Sequence, residues 1–240
     1  MSTAQIAGVK AILFDTFGTV VDWRGSLIAD LTAFGAQRGV EADWPALVDA
    51  WRAAYHPSMD RVRKGLQPWT KLDDLHRASL DALVAEFGIK GLTEQDLVHI
   101  NLGWHRLNGW PDSVPGLTRL KTRFVIGPLS NGNVSLLTYM AKHAGLPWDM
   151  VFGSDLFGHF KPDPETYLGV AKLMDLAPDQ VMLAAAHNGD LASARKCGLM
   201  TAFFARPNEY GPHQKRDYSA DQDWDFVARD IQDLATQLGV

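Results

Sequence analysis

The chain is poor in the features that mark out several large classes of protein. Among 240 residues there is one cysteine, Cys197, so no internal disulfide can form and no Cys/His set has zinc spacing. A lone thiol suits a reducing compartment. There is no basic surplus: 23 Lys+Arg stand against 28 Asp+Glu, a formal charge of −5. Nothing is left over to neutralise a phosphate backbone, which argues against a nucleic-acid partner. No run of about 18 apolar residues occurs, so no membrane span is expected. Met1 to Lys10 lacks the basic-then-apolar build of a secretory signal, and the expectation is a cytoplasmic protein. Internal repeats and low-complexity tracts are missing too. What is present is a globular composition, 46% hydrophobic and 21% charged, enough for one large domain or a domain carrying an insert.

Apolar patterning sets the order of elements. Ala11-Ile12-Leu13-Phe14 is a short continuous apolar run that stops at Asp15 and the Gly18-Thr19 turn, as a buried parallel strand does. From Leu27 to about Leu107 the apolar residues recur at helical spacing instead: Leu27, Leu31, Phe34, then Leu47, Val48, Trp51, then Leu72, Leu75, Leu80, Leu83. Pro111 and Pro115-Gly116 mark the return, and Arg123 to Leu129 again reads as a strand. Helix Val134 to His143, the apolar Met150-Val151-Phe152, helix Pro164 to Met174, strand Gln180 to Ala186, helix Leu191 to Cys197 and strand Met200 to Ala205 follow in alternation. A polar loop from Pro207 to Asp223 and a closing helix from Trp224 to Leu238 complete the chain. Alternating strands and helices imply an α/β fold with a doubly wound parallel sheet. The expected division is a core of residues 1–22 and 113–240 with a helical insert, 23–112, between.

In such sheets the ligand lies beyond the carboxyl ends of the strands. Asp15, Ser130-Asn131, Lys161 and His187 to Asp190 each follow a strand end or crossover. Asp15 alone reads either as a turn residue binding local amides or as a nucleophile. Its company favours the second. A lysine about 4 Å away would favour the ionised carboxylate by about 4 kcal/mol at an effective dielectric near 20, before desolvation is subtracted.

Four segments in order, Phe14-Asp15-Thr16-Phe17-Gly18-Thr19, Leu129-Ser130-Asn131-Gly132, Lys161-Pro162-Asp163 and the turn at Asp190, resemble the four motifs of the haloacid dehalogenase superfamily. Within it the chain resembles the hydrolytic L-2-haloacid dehalogenases. That resemblance implies a cofactor-free hydrolase acting on short (S)-2-haloacids, with a helical cap over the site. Asp15 would be alkylated at the halogen-bearing carbon, and water would then release the 2-hydroxy acid. Thr19 and Ser130 would orient nucleophile and substrate, Lys161 would keep Asp15 ionised, and Tyr167 would contact the lysine region. Arg52 and Asn131 would receive the halide beside Phe17. The last motif departs from the family pattern: where many relatives read Ser-Ser-Asn, this chain reads Ala185-Ala186-His187-Asn188-Gly189-Asp190. His187 then stands in the place of the water-positioning asparagine, to activate water alone or with Asp190 or to narrow the halide pocket, and Asn188 joins the substrate and halide set. Relatives often dimerise, and a homodimer is allowed here.

The main rival is a Mg2+-dependent phosphatase of the same superfamily acting on a small phosphorylated metabolite. Such enzymes resemble one another in a second aspartate two residues after the nucleophile, here Phe17, and in an acidic pair in the last motif whose first member aligns with Ala186. Without these oxygens Mg2+ would keep only Asp15 and Asp190, so no metal site is expected. A further alternative is a binding module that has lost turnover, against which Asp15, Ser130, Lys161 and Asp190 stand together.

Overall fold

The structure, a computed structural model, describes residues 8–240. The first apolar run forms β1 (Ala11–Phe14), whose four side chains are buried. Burying residues such as Ile12, Leu13 and Phe14 is worth roughly 1.5–3 kcal/mol each, so β1 is the natural centre of a sheet. The chain next makes β2 (Val21–Asp22) and the insert helices α1 (Trp23–Arg38), α2 (Trp44–Arg63), α3 (Leu72–Glu86) and α4 (Glu94–Asn101). A 3-10 turn, Leu102–Arg106, leads to β3 (Asn108–Gly109), which pairs antiparallel with β2. Entry to and exit from the insert are thus tied side by side.

The remaining elements alternate: α5 (Ser113–Lys121), β4 (Val125–Ser130), α6 (Val134–Ala144), β5 (Phe152–Gly153), α7 (Pro164–Leu173), β6 (Val181–Ala185), α8 (Asn188–Lys196), β7 (Met200–Phe204), β8 (Phe226–Ala228) and α9 (Ile231–Gln237). The main sheet has the order β5-β4-β1-β6-β7-β8, and each neighbouring pair in it is parallel. Strand order reverses about β1, which puts a ligand crevice at the end of that strand. Among the described residues no helix is long and apolar enough to cross a membrane.

Two expectations shift. The single closing helix is a strand followed by a shorter helix: Phe226 and Ala228 are buried while Val227 faces out, the period of a strand. Asp230 then starts α9 by accepting a hydrogen bond from the Asp233 amide at 2.7 Å. The expected Met150-Val151-Phe152 strand contracts to Phe152–Gly153.

Local signals bound the insert helices. Asp22 and Asp43 cap α1 and α2 through the Gly25 and Ala46 amides, and Gly39 ends α1 at φ 66°. Inside, Trp23, Trp51 and Trp104 are fully buried. Trp104 stacks on Trp23 at 6.3 Å and meets Trp51 edge-on at 5.4 Å. The tryptophans therefore pack the insert, and none lines the main cavity.

Candidate active site

Asp15 follows β1, and its amide continues the ladder to the Ala184 carbonyl at 3.1 Å. The chain then turns through Gly18 at φ 85°, a left-handed conformation that glycine adopts without strain. Three side chains converge on the Asp15 carboxylate. The Thr19 hydroxyl donates to Oδ2 at 2.7 Å, His187 Nδ1 to the same oxygen at 2.8 Å, and Lys161 Nζ to Oδ1 at 2.9 Å. Burial alone would raise the carboxyl's pKa. The Lys161 charge and the His187 hydrogen bond outweigh it and hold the pKa far below the usual range.

Lys161 also donates to Asp190 Oδ2, and the Tyr167 hydroxyl donates to Asp190 Oδ1 at 2.6 Å. Burial disfavours the ammonium, but Asp15 and Asp190 together push the Lys161 pKa above its ordinary value. The Lys161 amide donates to Asn131 Oδ1 at 2.7 Å, which fixes the lysine's loop to the end of β4. Tyr167 thus reaches the lysine through Asp190.

His187 has a carboxylate on each nitrogen. Its Nε2 lies 2.8 Å from Glu209 Oε2, so the ring bridges Asp15 and Glu209. Burial works against a charged ring, yet the Glu209 charge and the Asp15 hydrogen bond raise its pKa well above the ordinary value. With a carboxylate oxygen 2.8 Å from each nitrogen, both are placed to donate, as in an imidazolium. Glu209 is 1% exposed and also accepts from Trp23 Nε1 at 3.2 Å. A Cβ on Gly18 would lie 2.2 Å from the Glu209 carboxyl group, a second reason for glycine there.

The opposite wall comes from α2. Arg52, Tyr55 and His56, three and four residues apart, line a cavity of ≈ 360 Å³ together with Phe17, Asn131, Lys161, His187, Asp190 and the mouth residues Tyr210 and Arg216. Arg52 is buried, its guanidinium 4.3 Å from the Tyr55 ring and 5.2 Å from that of Trp23. Its Nη1 has no hydrogen-bond partner. Phe17 meets Trp104 edge-on at 5.6 Å, an apolar floor beside the nucleophile.

Of the residues singled out from sequence, Asp15, Phe17, Arg52, Asn131, Lys161, Tyr167, His187 and Asp190 meet at this cavity. Thr19 stands behind Asp15, donating to it and accepting from the Ala186 amide at 3.0 Å. Ser130 is buried and accepts from the Gly132 amide at 3.2 Å, shaping its loop without lining the cavity. Asn188 is a correction to the expected substrate set. Its side chain donates to Asp217 and the Ser219 carbonyl and accepts from Trp224 Nε1 at 2.9 Å, so its polar atoms fasten the 217–224 loop instead. Sequence reasoning missed Glu209, Tyr55, His56, Tyr210 and Arg216. Only Tyr55 and His56 carried a signal, their helical spacing from Arg52.

The insert is fastened to the same loops. Asn133 exchanges hydrogen bonds with Asp73 of α3 at 3.1 and 2.9 Å, and Arg63 of α2 pairs with Asp163 at 2.7 Å. The donor set does not suit Mg2+. The oxygens of Asp15 and Asp190 that face one another's surroundings share the Lys161 ammonium, and a dication there would sit against that charge. Among the described residues no group of three or more His, Cys, Asp or Glu side chains is arranged to hold a metal ion.

An aspartate at the tip of the central parallel strand, served by a lysine and covered by a helical insert, defines an α/β hydrolase of the aspartyl-nucleophile type. A family model of haloacid dehalogenase-like hydrolases matches residues 9–198, and the chain belongs to that family. The crystal structure of an L-2-haloacid dehalogenase is 54% identical, covers 96% of this chain and 98% of its own, and superposes with a TM-score of 0.94. A defluorinating L-2-haloacid dehalogenase is 50% identical, with 97% and 96% covered and the same TM-score of 0.94. The (S)-2-haloacid dehalogenase of Xanthobacter autotrophicus is 27% identical over 203 residues, 82% of this chain and 76% of that protein.

Proposed function

We propose that this chain hydrolyses short (S)-2-haloalkanoates to 2-hydroxy acids without a metal or organic cofactor. One observation carries the reading: a buried Asp15 held ionised by Lys161 shares one cavity with the Arg52 guanidinium, which has a hydrogen-bonding nitrogen to spare. One side supplies a nucleophile and the other awaits an anion.

A carboxylate oxygen of Asp15 attacks the halogen-bearing carbon in line, forming a C–O bond while the carbon–halogen pair leaves as halide. Thr19 and Lys161 hold the carboxylate in position for that attack. Arg52 and Asn131 receive the halide, and Phe17 keeps its path apolar. The product of this half-reaction is an ester on Asp15. Water then attacks its carbonyl carbon, returning Asp15 and freeing the hydroxy acid. His187, in contact with the Asp15 carboxyl group, is placed to activate that water. Residues 23–112 act as the cap that carries Arg52. The lone Cys197 thiol fits a cytoplasmic enzyme, and a homodimer accords with the resemblance. The phosphatase reading lacks support, because Phe17 and Ala186 offer no oxygen where a metal and a leaving alcohol would need one.

The test is to incubate the protein with chloroacetate, fluoroacetate, (S)-2-chloropropionate and p-nitrophenyl phosphate, with and without EDTA, and quantify free halide and phosphate. Halide release indifferent to EDTA is expected. Phosphate release that EDTA abolishes, with no halide from any haloacid, would overturn the reading.

A further inference from the structure

We infer that Glu209 is a positioning residue for the second half-reaction: it holds His187 by Nε2 so that esterification of Asp15 turns the imidazole from a hydrogen-bond donor into the base for water. This rests on the dehalogenase reading above. Glu209 lies in the loop after β7, far in sequence from the four motif segments, yet it is among the most buried carboxylates of the chain and lies 2.8 Å from the ring.

Every group facing His187 bears on the argument. Asp15 and Glu209 favour a charged ring, while the cations sharing the cavity, Lys161, Arg52 and Arg216, oppose it, as does burial. His56, from α2, and Asp190 and Asp217 complete the surroundings. Alkylation converts Asp15 from an anion to a neutral ester. The Nδ1 proton loses its charged acceptor while the cations remain, so the ring sheds that proton to solvent at the cavity mouth. Glu209 keeps its negative charge and its hold on Nε2–H, which fixes the tautomer and aims the Nδ1 lone pair at the ester carbonyl. Water gives one proton to Nδ1 as its oxygen bonds to the carbonyl carbon. The tetrahedral adduct collapses with cleavage of the acyl carbon–oxygen bond, and the alkoxide leaves as the hydroxy acid, taking the second water proton. Asp15 and the imidazolium are both restored, and over the cycle haloacid and water yield hydroxy acid, halide and one proton.

Glu209 also accepts from Trp23 Nε1 and lies 3.9 Å from Arg52 Nη2, so seating the insert and placing Arg52 is the competing explanation. The test therefore reads the two half-reactions separately. Glu209→Gln is mixed with chloroacetate, quenched at intervals and weighed as intact protein. The carboxymethyl ester is expected to form at close to the wild-type rate and then accumulate, because its hydrolysis slows by about 100-fold, the lower range of general-base effects. Glu209→Asp is expected to recover part of the loss. In wild-type protein with a pH indicator, one proton per site is expected to appear with the halide, ahead of the hydroxy acid. That measurement decides the matter should the Gln variant fail to fold. Ester hydrolysis unchanged in Glu209→Gln, equal slowing of both half-reactions, or proton release that follows the hydroxy acid would each overturn the inference while leaving dehalogenation intact. Wild-type protein that releases no halide would instead overturn the reading on which it rests.

Discussion

The two walls of the cavity are built on opposite principles. On the sheet side each oxygen of Asp15 and Asp190 has a donor, and Lys161 and His187 each span two carboxylates or more than one anionic partner. On the insert side aromatic faces dominate, and polar atoms are buried without partners, Arg52 Nη1 in the wall and both nitrogens of His76, Trp104 Nε1 and Asn101 Oδ1 behind it. On the sheet side only Thr16 Oγ1 is so placed among the described residues. A closed hydrogen-bond network holds a nucleophile in one geometry before substrate arrives, which is where preorganisation is worth most. A cation packed on rings, its Nη2 3.9 Å from Glu209 and its Nη1 without a partner, keeps pairing capacity for an incoming anion. The sheet wall is finished in the free protein, and the insert wall is completed by the reaction.

That contrast predicts unequal stability responses to removing a cation. Lys161→Ala leaves Asp15 and Asp190 as buried carboxylates without their shared ammonium. Halide release should fall by more than about 1000-fold, and denaturant unfolding should show a loss of roughly 3–5 kcal/mol, the usual cost of breaking a buried pair. Arg52→Met removes the proposed halide donor at a developing charge, where such groups are worth about 3–4 kcal/mol, so turnover should fall by roughly 100- to 1000-fold. Its unfolding free energy should fall by less than that of Lys161→Ala, because Glu209, 3.9 Å from Arg52 Nη2, keeps His187 and Trp23 as donors. Equal destabilisation by the two variants would erase the distinction between the walls.

The smallest effect concerns His76, packed flat on Trp104 at 4.3 Å. Burial, aided by the Arg52 charge and opposed by Asp73, lowers its pKa from 6.5 to about 3. Between those values the unfolded chain binds a proton that the folded chain refuses. Stability should therefore be full above the unfolded value and decline as pH falls through the window, by up to about 1.4 kcal/mol per pH unit from this group. Urea titrations at pH 7, 6, 5 and 4 should show that decline, and His76→Phe should make it shallower, leaving the part due to His56, whose pKa burial and the Arg52 charge lower to about 4. An identical slope in the variant would mean that His76 is not an acid-sensitive group of the insert.

Much of this was readable from the chain itself, for reasons specific to particular residues. β1 announces itself because a strand buried on both faces must be apolar throughout, and Asp15 stands out because the run stops there. Arg52 was reachable from its place after Trp51 in the motif resemblance, and Tyr55 by helical spacing. Glu209 was not, because it lies in a polar loop whose path is set by β7 and by contacts with Trp23 and His187, and no local pattern encodes that approach. Asn188 misled for the converse reason. It occupies a motif position, but its amide is used up by the loop that begins at Asp217. The β2–β3 ribbon and β8 are too short for a periodic signal.

The antiparallel pairing of Val21–Asp22 with Asn108–Gly109 makes the intervening helices a cassette. Neighbouring strands lie only about 4.8 Å apart, so the sheet offers two adjoining attachment points and is indifferent to what is strung between them. A change within the cassette leaves the path of the Asp15 strand untouched, since both of its ends return to one doorway.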